Sequence, residues 1–145
     1  MGRQVVEVQA VSQAPPEAVW RLLEDVTTWT EWAGFDEAEY AEEGNPPPHG
    51  RGALRRMRFG RLRSVERVLA FEPPTHFAYD YVGSLPLKDY RAEVSLAPVD
   101  GGTCITWHSE FTGKYPLTGA ALRRALTRVL TDIATRLARA AEEGT

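Results

Sequence analysis

The last third of this chain carries one long amphipathic helix, and the segments before it read mainly as strands. Large apolar residues fall at Leu122, Leu126, Val129, Leu130, Ile133 and Leu137, which at 3.6 residues per turn draws one stripe about 100° wide. Arg123, Arg124, Arg128, Asp132, Thr135 and Arg139 take the rest of the circumference. No second helix of comparable length is available to cover the stripe, so strands must wrap around it. A sheet bent that strongly against one helix leaves room for a cavity, and the function is to be sought there.

The preceding segments supply such a sheet. Gln4 to Val11 mixes Val5, Val6, Val8 and Val11 with polar residues and predicts a first strand. Pro15-Pro16-Glu17 opens a short helix carrying Val19, Trp20, Leu22, Leu23 and Val26, with proline suited to the first helical position. Trp29 and Trp32, three apart, predict a second helical turn that caps the core. Phe35 to Glu43 is a weaker strand, ended by the breaker run from Gly44 to Gly50. Ala53 to Phe59 and Leu62 to Phe71 form a hairpin turning at Gly60, and His76 to Val82 follows the Pro73-Pro74 turn. Gly83-Ser84-Leu85-Pro86 breaks the chain before a strand from Tyr90 to Leu96, and Pro98-Val99-Asp100-Gly101-Gly102 turns into the last strand, Thr103 to Phe111. Seven strands result, with no repeat or low-complexity linker, so residues 1–145 are expected to form a single domain.

Composition narrows the class further. A single cysteine, Cys104, excludes an intrachain disulfide and a multi-thiolate metal site. His49, His76 and His108 are scattered without ligand spacing, so no metal is expected, and nothing calls for a cofactor. The start of the chain lacks a charged segment leading into an apolar run, and no stretch approaches a membrane span, so a cytoplasmic location is expected. Met1-Gly2 resembles a myristoylation start, but Val6 stands where that motif requires Ser or Thr. The net charge of −3 says nothing for an anionic partner. Arginines at positions 51, 55, 56, 58, 61, 63 and 67 form the densest charge feature, but Asp36, Glu37, Glu39, Glu42 and Glu43 lie on what would be the neighbouring strand. Pairing across the sheet is the expected account of that face, rather than nucleic-acid binding.

The order strand, short helices, six strands and long helix coincides with residue patterns of a known group. They are Ala14-Pro15-Pro16-Glu17-Ala18-Val19-Trp20 with Leu23, Asp25, Trp29 and Trp32; Gly50-Arg51-Gly52-Ala53; and Val68-Leu69-Ala70-Phe71-Glu72-Pro73-Pro74 running on to Phe77 and Tyr79. Together with Gly102-Thr103 and the final helix, they resemble the START-like SRPBCC superfamily in its polyketide cyclase/dehydrase-like branch. The family often has Ser before the helix-start proline, where this chain has Ala14. The resemblance implies an α+β helix-grip fold, a seven-stranded antiparallel curved sheet around a long C-terminal helix, with a cavity for an apolar or aromatic small molecule. It does not imply one reaction, because the fold hosts carriers, sensors, cyclases and protein-binding regulators.

Strand alternation then assigns faces. Taking the apolar parity as inward, Phe77, Tyr79 and Tyr81 face the cavity from one strand, Tyr90, Ala92 and Val94 from the next, and Ile105, Trp107, Ser109 and Phe111 from the last. Asp80, Arg91, Glu93, His108 and Glu110 point outward by the same rule. In the Leu62 to Phe71 strand the parity is ambiguous: Val65, Leu69 and Phe71 go with Arg67, whereas Leu62 and Val68 go with Glu66, so one of those charges faces in. Its partner strand pairs Met57 and Phe59 with Arg55 and leaves Arg56 and Arg58 outside. Trp20, Trp29, Trp32 and Phe71 are expected in the core. The expected ligand-binding set is Met57, Phe77, Tyr79, Tyr81, Tyr90, Trp107 and Ser109 from the sheet, with Leu126, Leu130 and Ile133 from the helix.

Three functions fit this reading. One is a carrier or sensor of an apolar, aromatic or lipid-like molecule. The second is an aromatase/cyclase-like enzyme, in which Tyr79, Tyr81, Ser109 and Glu66 or Arg67 would handle protons. The third is a protein-binding regulator using the arginine-rich hairpin; a homodimer is left open.

Overall fold

The computed structural model describes residues 2–83 and 85–144. One antiparallel sheet holds β1 (Gln4–Ser12), β2 (Glu37–Glu42), β3 (Leu54–Phe59), β4 (Leu62–Glu72), β5 (His76–Tyr81), β6 (Leu87–Val99) and β7 (Gly102–Gly113), in the order β1-β7-β6-β5-β4-β3-β2. Between β1 and β2 come α1 (Pro16–Glu24), a 3-10 turn (Val26–Thr28) and the short α2 (Trp29–Trp32). The chain ends in α3 (Gly119–Glu143), 25 residues long. This is the helix-grip architecture, with α3 lying on the concave face.

Because every neighbouring pair runs antiparallel, the connections sort to two ends. The β3–β4 hairpin turn, the β5–β6 loop and the β7–α3 connection share one end with the start of α3. The β4–β5 and β6–β7 turns lie at the other, with α1. Gly60 (φ 61°) and Gly101 (φ 79°) supply the left-handed backbone that their tight turns require.

Several element limits differ from the expected ones for physical reasons. The β6 strand continues through Pro98, which pairs with Thr103. The Leu96 N–H points towards β5, bonding the Thr75 carbonyl at 2.9 Å, so the absent N–H of Pro98 faces the side where β5 has already ended. In β4 the register slips between Val68 and Ala70. This bulge at Leu69 reverses the parity part-way along: Glu66 and Val68 face the concave side before it, and Phe71 faces it after. Glu66, not Arg67, is therefore the charge that faces in, and Phe71 joins the concave side only because of the bulge. Arg67 is left exposed.

The helix α1 has no side-chain cap at Pro15. Its entry is fixed instead by hydroxyls: Ser12 Oγ donates to the Ala138 carbonyl (2.8 Å) and accepts from Ala14 N–H (3.2 Å), and Thr103 Oγ1 donates to the Ala14 carbonyl (2.8 Å). These bonds tie β1, α1, β7 and the second half of α3 at one point.

The apolar stripe of α3 is not buried evenly. Leu130, Ile133, Ala134, Leu137, Ala138 and Ala141 are buried, whereas Leu122 and Leu126 are only partly covered and Val129 is 50% exposed. Small residues in the second half let β1 and α1 approach closely. The first half stands off the sheet. Accordingly, Leu137→Ala should lower stability by about 2–5 kcal/mol in urea unfolding, as for large-to-small changes in a packed core. Val129→Ala, in the same sequence stripe, should change it by no more than about 0.5 kcal/mol.

Candidate functional site

Where α3 stands off, a cavity of about 320 Å³ opens between its first half and the sheet. Met57 of β3, Tyr79 and Tyr81 of β5 and Tyr90 of β6 form the sheet side, and Leu126, Leu130 and Ile133 of α3 form the roof. Trp29 of α2 closes it toward the α1 end. Its indole donates to the Leu22 carbonyl at 3.1 Å, so the ring is held by α1.

Three other residues expected at the site, Phe77, Trp107 and Ser109, are fully buried and form no part of the cavity wall. Phe77 packs against Trp20 and Phe71. Trp107 meets Trp29 edge-on at 6.1 Å and donates its indole N–H to Tyr79 Oη at 3.1 Å. Parity places a side chain on the concave face but says nothing of depth along it. At these positions α1, α2 and neighbouring rings already cover the sheet.

The structure also brings in residues outside the expected ligand-binding set. Phe59 and Leu62 flank the β3–β4 turn, Leu85 comes from the β5–β6 loop, Leu87 opens β6, and Val129 and Asp132 come from α3. The exposed apolar Phe59 and Leu62 beside Gly60 were the available signal. At the rim, the Leu85 N–H donates to Tyr81 Oη at 2.9 Å. A Cβ on Gly83 would collide with that oxygen, so glycine is what lets the loop fold over the tyrosine. Tyr81 thus both lines the cavity and latches the loop at its mouth.

One charged pair reaches the interior. Glu66 lines the cavity, and its Oε1 accepts from Arg55 Nη2 at 2.7 Å. The Arg55 side chain is wholly buried and that of Glu66 is 13% exposed. The guanidinium lies 4.8 Å from the Trp29 ring, 4.9 Å from Phe77 and 5.3 Å from Tyr79, an aromatic cage that stabilises a cation taken out of water. Burial pushes the Glu66 carboxyl above its ordinary value, with Arg55 opposing the shift. Burial likewise raises the phenols of Tyr79 and Tyr90, which remain neutral donors.

Arg63 of β4 and Asp132 of α3 also border the cavity, whereas other charges lie on the convex face. His108 lies on the convex face between Glu110 (2.9 Å) and Glu7 (3.1 Å). Arg58 pairs with Glu37 and Asp36, and Arg56 with Glu39, as the cross-strand reading expected. Among the described residues, no three of His, Cys, Asp and Glu gather to hold a metal ion.

The comparisons with known proteins agree with this fold. The sequence profile of the family described as polyketide cyclase/dehydrase and lipid transport matches residues 3–142. The chain belongs to that family. Among solved structures, it is similar to the Zhui aromatase/cyclase from Streptomyces sp. R1128, at 17% identity and a TM-score of 0.82 over 98% of this chain and 95% of the other. A START superfamily protein from Mycobacterium smegmatis gives 14% identity and a TM-score of 0.82 over 99% and 100%. Ara h 8.0201 follows with 17% identity and a TM-score of 0.76 over 98% and 99%. At these identities the likeness is one of fold. No curated protein matches the sequence.

The raised Glu66 carboxyl has a measurable consequence. Folding favours its protonated form, so its contribution to stability is present below the ordinary value of 4.5 and is lost as pH rises through the folded-state value. Urea midpoints of the parent should therefore fall relative to those of Glu66→Gln as pH rises above 4.5, and two parallel pH profiles would contradict the assignment.

Proposed function

We propose that this family member binds an apolar, ring-bearing small molecule in the cavity beneath the first half of α3, as a carrier or sensor. The observation that carries the reading is the wall itself, built mainly from Met57, leucines and aromatic rings, with Glu66 and Arg63 as the charged groups on its β-sheet side and Asp132 on α3. Its volume suits a small molecule, since ligand pockets run from roughly 300 Å³ upward. Affinity would come from apolar area removed from water, at roughly 25 cal/mol per Å². The phenols and Glu66 would orient a polar substituent on the ligand.

A second reading, aromatase/cyclase-type catalysis, draws support from the Glu66–Arg55 pair. A carboxyl with a raised proton affinity beside a fixed cation can exchange protons with an enolisable ketone held in the cavity. The aromatase/cyclase among the structural neighbours supports this at the level of fold alone.

Native mass spectrometry of protein purified without denaturation would reveal a retained ligand. Titration with 1-anilinonaphthalene-8-sulfonate gives a direct test of the site. Leu126→Trp, which fills the cavity from a partly exposed position, should weaken the probe at least about tenfold, or ~1.4 kcal/mol. His108→Ala, on the convex face, should leave it unchanged. Equal affinity in parent and Leu126→Trp would overturn the proposed site. With a poly-β-ketone surrogate, turnover abolished by Glu66→Gln at unchanged probe affinity would select the enzyme over the carrier.

A further inference from the structure

The exposed apolar side chains are unevenly placed. Phe59 (57% exposed), Leu62 (61%), Val82, Tyr115, Leu117 (96%) and Val129 all belong to the end of the sheet where the cavity opens. They come from four separate pieces of chain: the β3–β4 hairpin, the β5–β6 loop, the β7–α3 connection and α3. The last two loops touch, since the Lys114 N–H bonds the Pro86 carbonyl at 3.1 Å. The remaining exposed large apolar residues lie elsewhere, Val5 on the convex face and Val11 and Val99 toward the α1 end.

Charge is sorted to the same end. Arg61 and Arg63 sit on the hairpin, the chain's two lysines, Lys88 and Lys114, lie on the neighbouring segments, and Arg123, Arg124 and Arg128 occupy the first turns of α3. None of these seven makes an ion pair among the described residues. The nearby acids are mostly engaged: Asp36 and Glu37 with Arg58, Glu110 with Arg3 and His108, and Asp132 with Arg136. Asp80 and Asp89 are the exceptions. The chain as a whole carries −3, so this end is cationic on an acidic molecule.

We propose that the cavity mouth docks on an anionic lipid surface, with the hairpin tip and adjoining loops entering the interface. Separate apolar tips ringed by unpaired cations suit a fluid surface that moulds around each one, whereas a protein partner would require one continuous complementary face. Arginine and lysine stems can lie along the acyl boundary while their heads reach lipid phosphates. The asymmetry of charge turns the mouth toward such a surface and the opposite end away from it. Docking in this orientation would let a lipid-soluble ligand pass between bilayer and cavity without crossing water. The docking itself does not depend on what the cavity holds.

The test is co-sedimentation with vesicles of phosphatidylcholine alone or with 30% phosphatidylglycerol, a composition of about one anionic lipid in three. Binding to the anionic vesicles at low salt, weakened by added salt and weak on phosphatidylcholine alone, is expected. Phe59→Ser/Leu62→Ser and Arg61→Glu/Arg63→Glu should each reduce partitioning at least about tenfold, while Val11→Ser, exposed at the other end, should not. All the changed residues are surface-exposed, and matched urea midpoints would confirm that folding is intact. No binding to anionic vesicles, or binding indifferent to both hairpin variants, overturns the proposal and leaves the rim to a protein partner.

Discussion

The structure depends on α3 being held by one half only. Alanines at 134, 138 and 141 bring the helix against β1 and α1, and the Ser12 hydroxyl bonds its backbone at Ala138. With that half fixed, the direction of the helix axis is fixed too, and the larger Leu126, Val129 and Leu130 project over a part of the sheet they do not fill. The cavity is the space between a rigidly anchored rod and a bent surface that diverges from it. No residue has to be spent on making a void. It follows from small side chains at one end and large, incompletely packed ones at the other.

Against this apolar background the Arg55–Glu66 pair is the feature that pure packing does not explain. Burying both charges costs several kcal/mol before their attraction is counted, and an apolar pair of similar volume would often serve stability as well or better. Here the cation is enclosed by three rings and the carboxylate is left at the cavity wall. Arg55 therefore acts through Glu66: it fixes the carboxyl in place and resists its neutralisation, while the rings keep water from the guanidinium. The pair gives the cavity a defined polar point and so a preferred orientation for anything bound in it.

Much of this was legible from residue order. The seven strands, the helix starts and the α3 stripe follow from alternation and from Pro and Gly placement, because those signals are local. Facing was legible as well in β5, β6 and β7, where apolar residues recur at every second position apart from Ser109 between Trp107 and Phe111. Three things were not. The bulge at Leu69 reverses facing without any glycine to mark it, so Glu66 and Arg67 could not be told apart by counting. Depth was hidden too: Trp107 and Tyr79 share a face, yet one is sealed behind Trp29 and the other meets the cavity, a distinction set by neighbours distant in sequence. Leu85, in the β5–β6 loop, carries no periodic signal at all, since its place follows from the Tyr81 hydroxyl that holds the loop.

The separation of anchor from mouth has an evolutionary consequence. Residues that set the shape and entrance of the cavity, such as Phe59, Leu62, Leu85 and Val129, make little of the packing that keeps the fold, whereas Ser12, Ala138 and Leu137 make much of it and touch no ligand space. Substitutions at the first group can redraw what the cavity admits with a small loss of folding free energy, which keeps them inside the narrow margin that natural proteins possess. One scaffold can in this way drift between guests while its framework stays constant. That is a physical route to a fold whose members share a shape at less than one-fifth sequence identity with this chain.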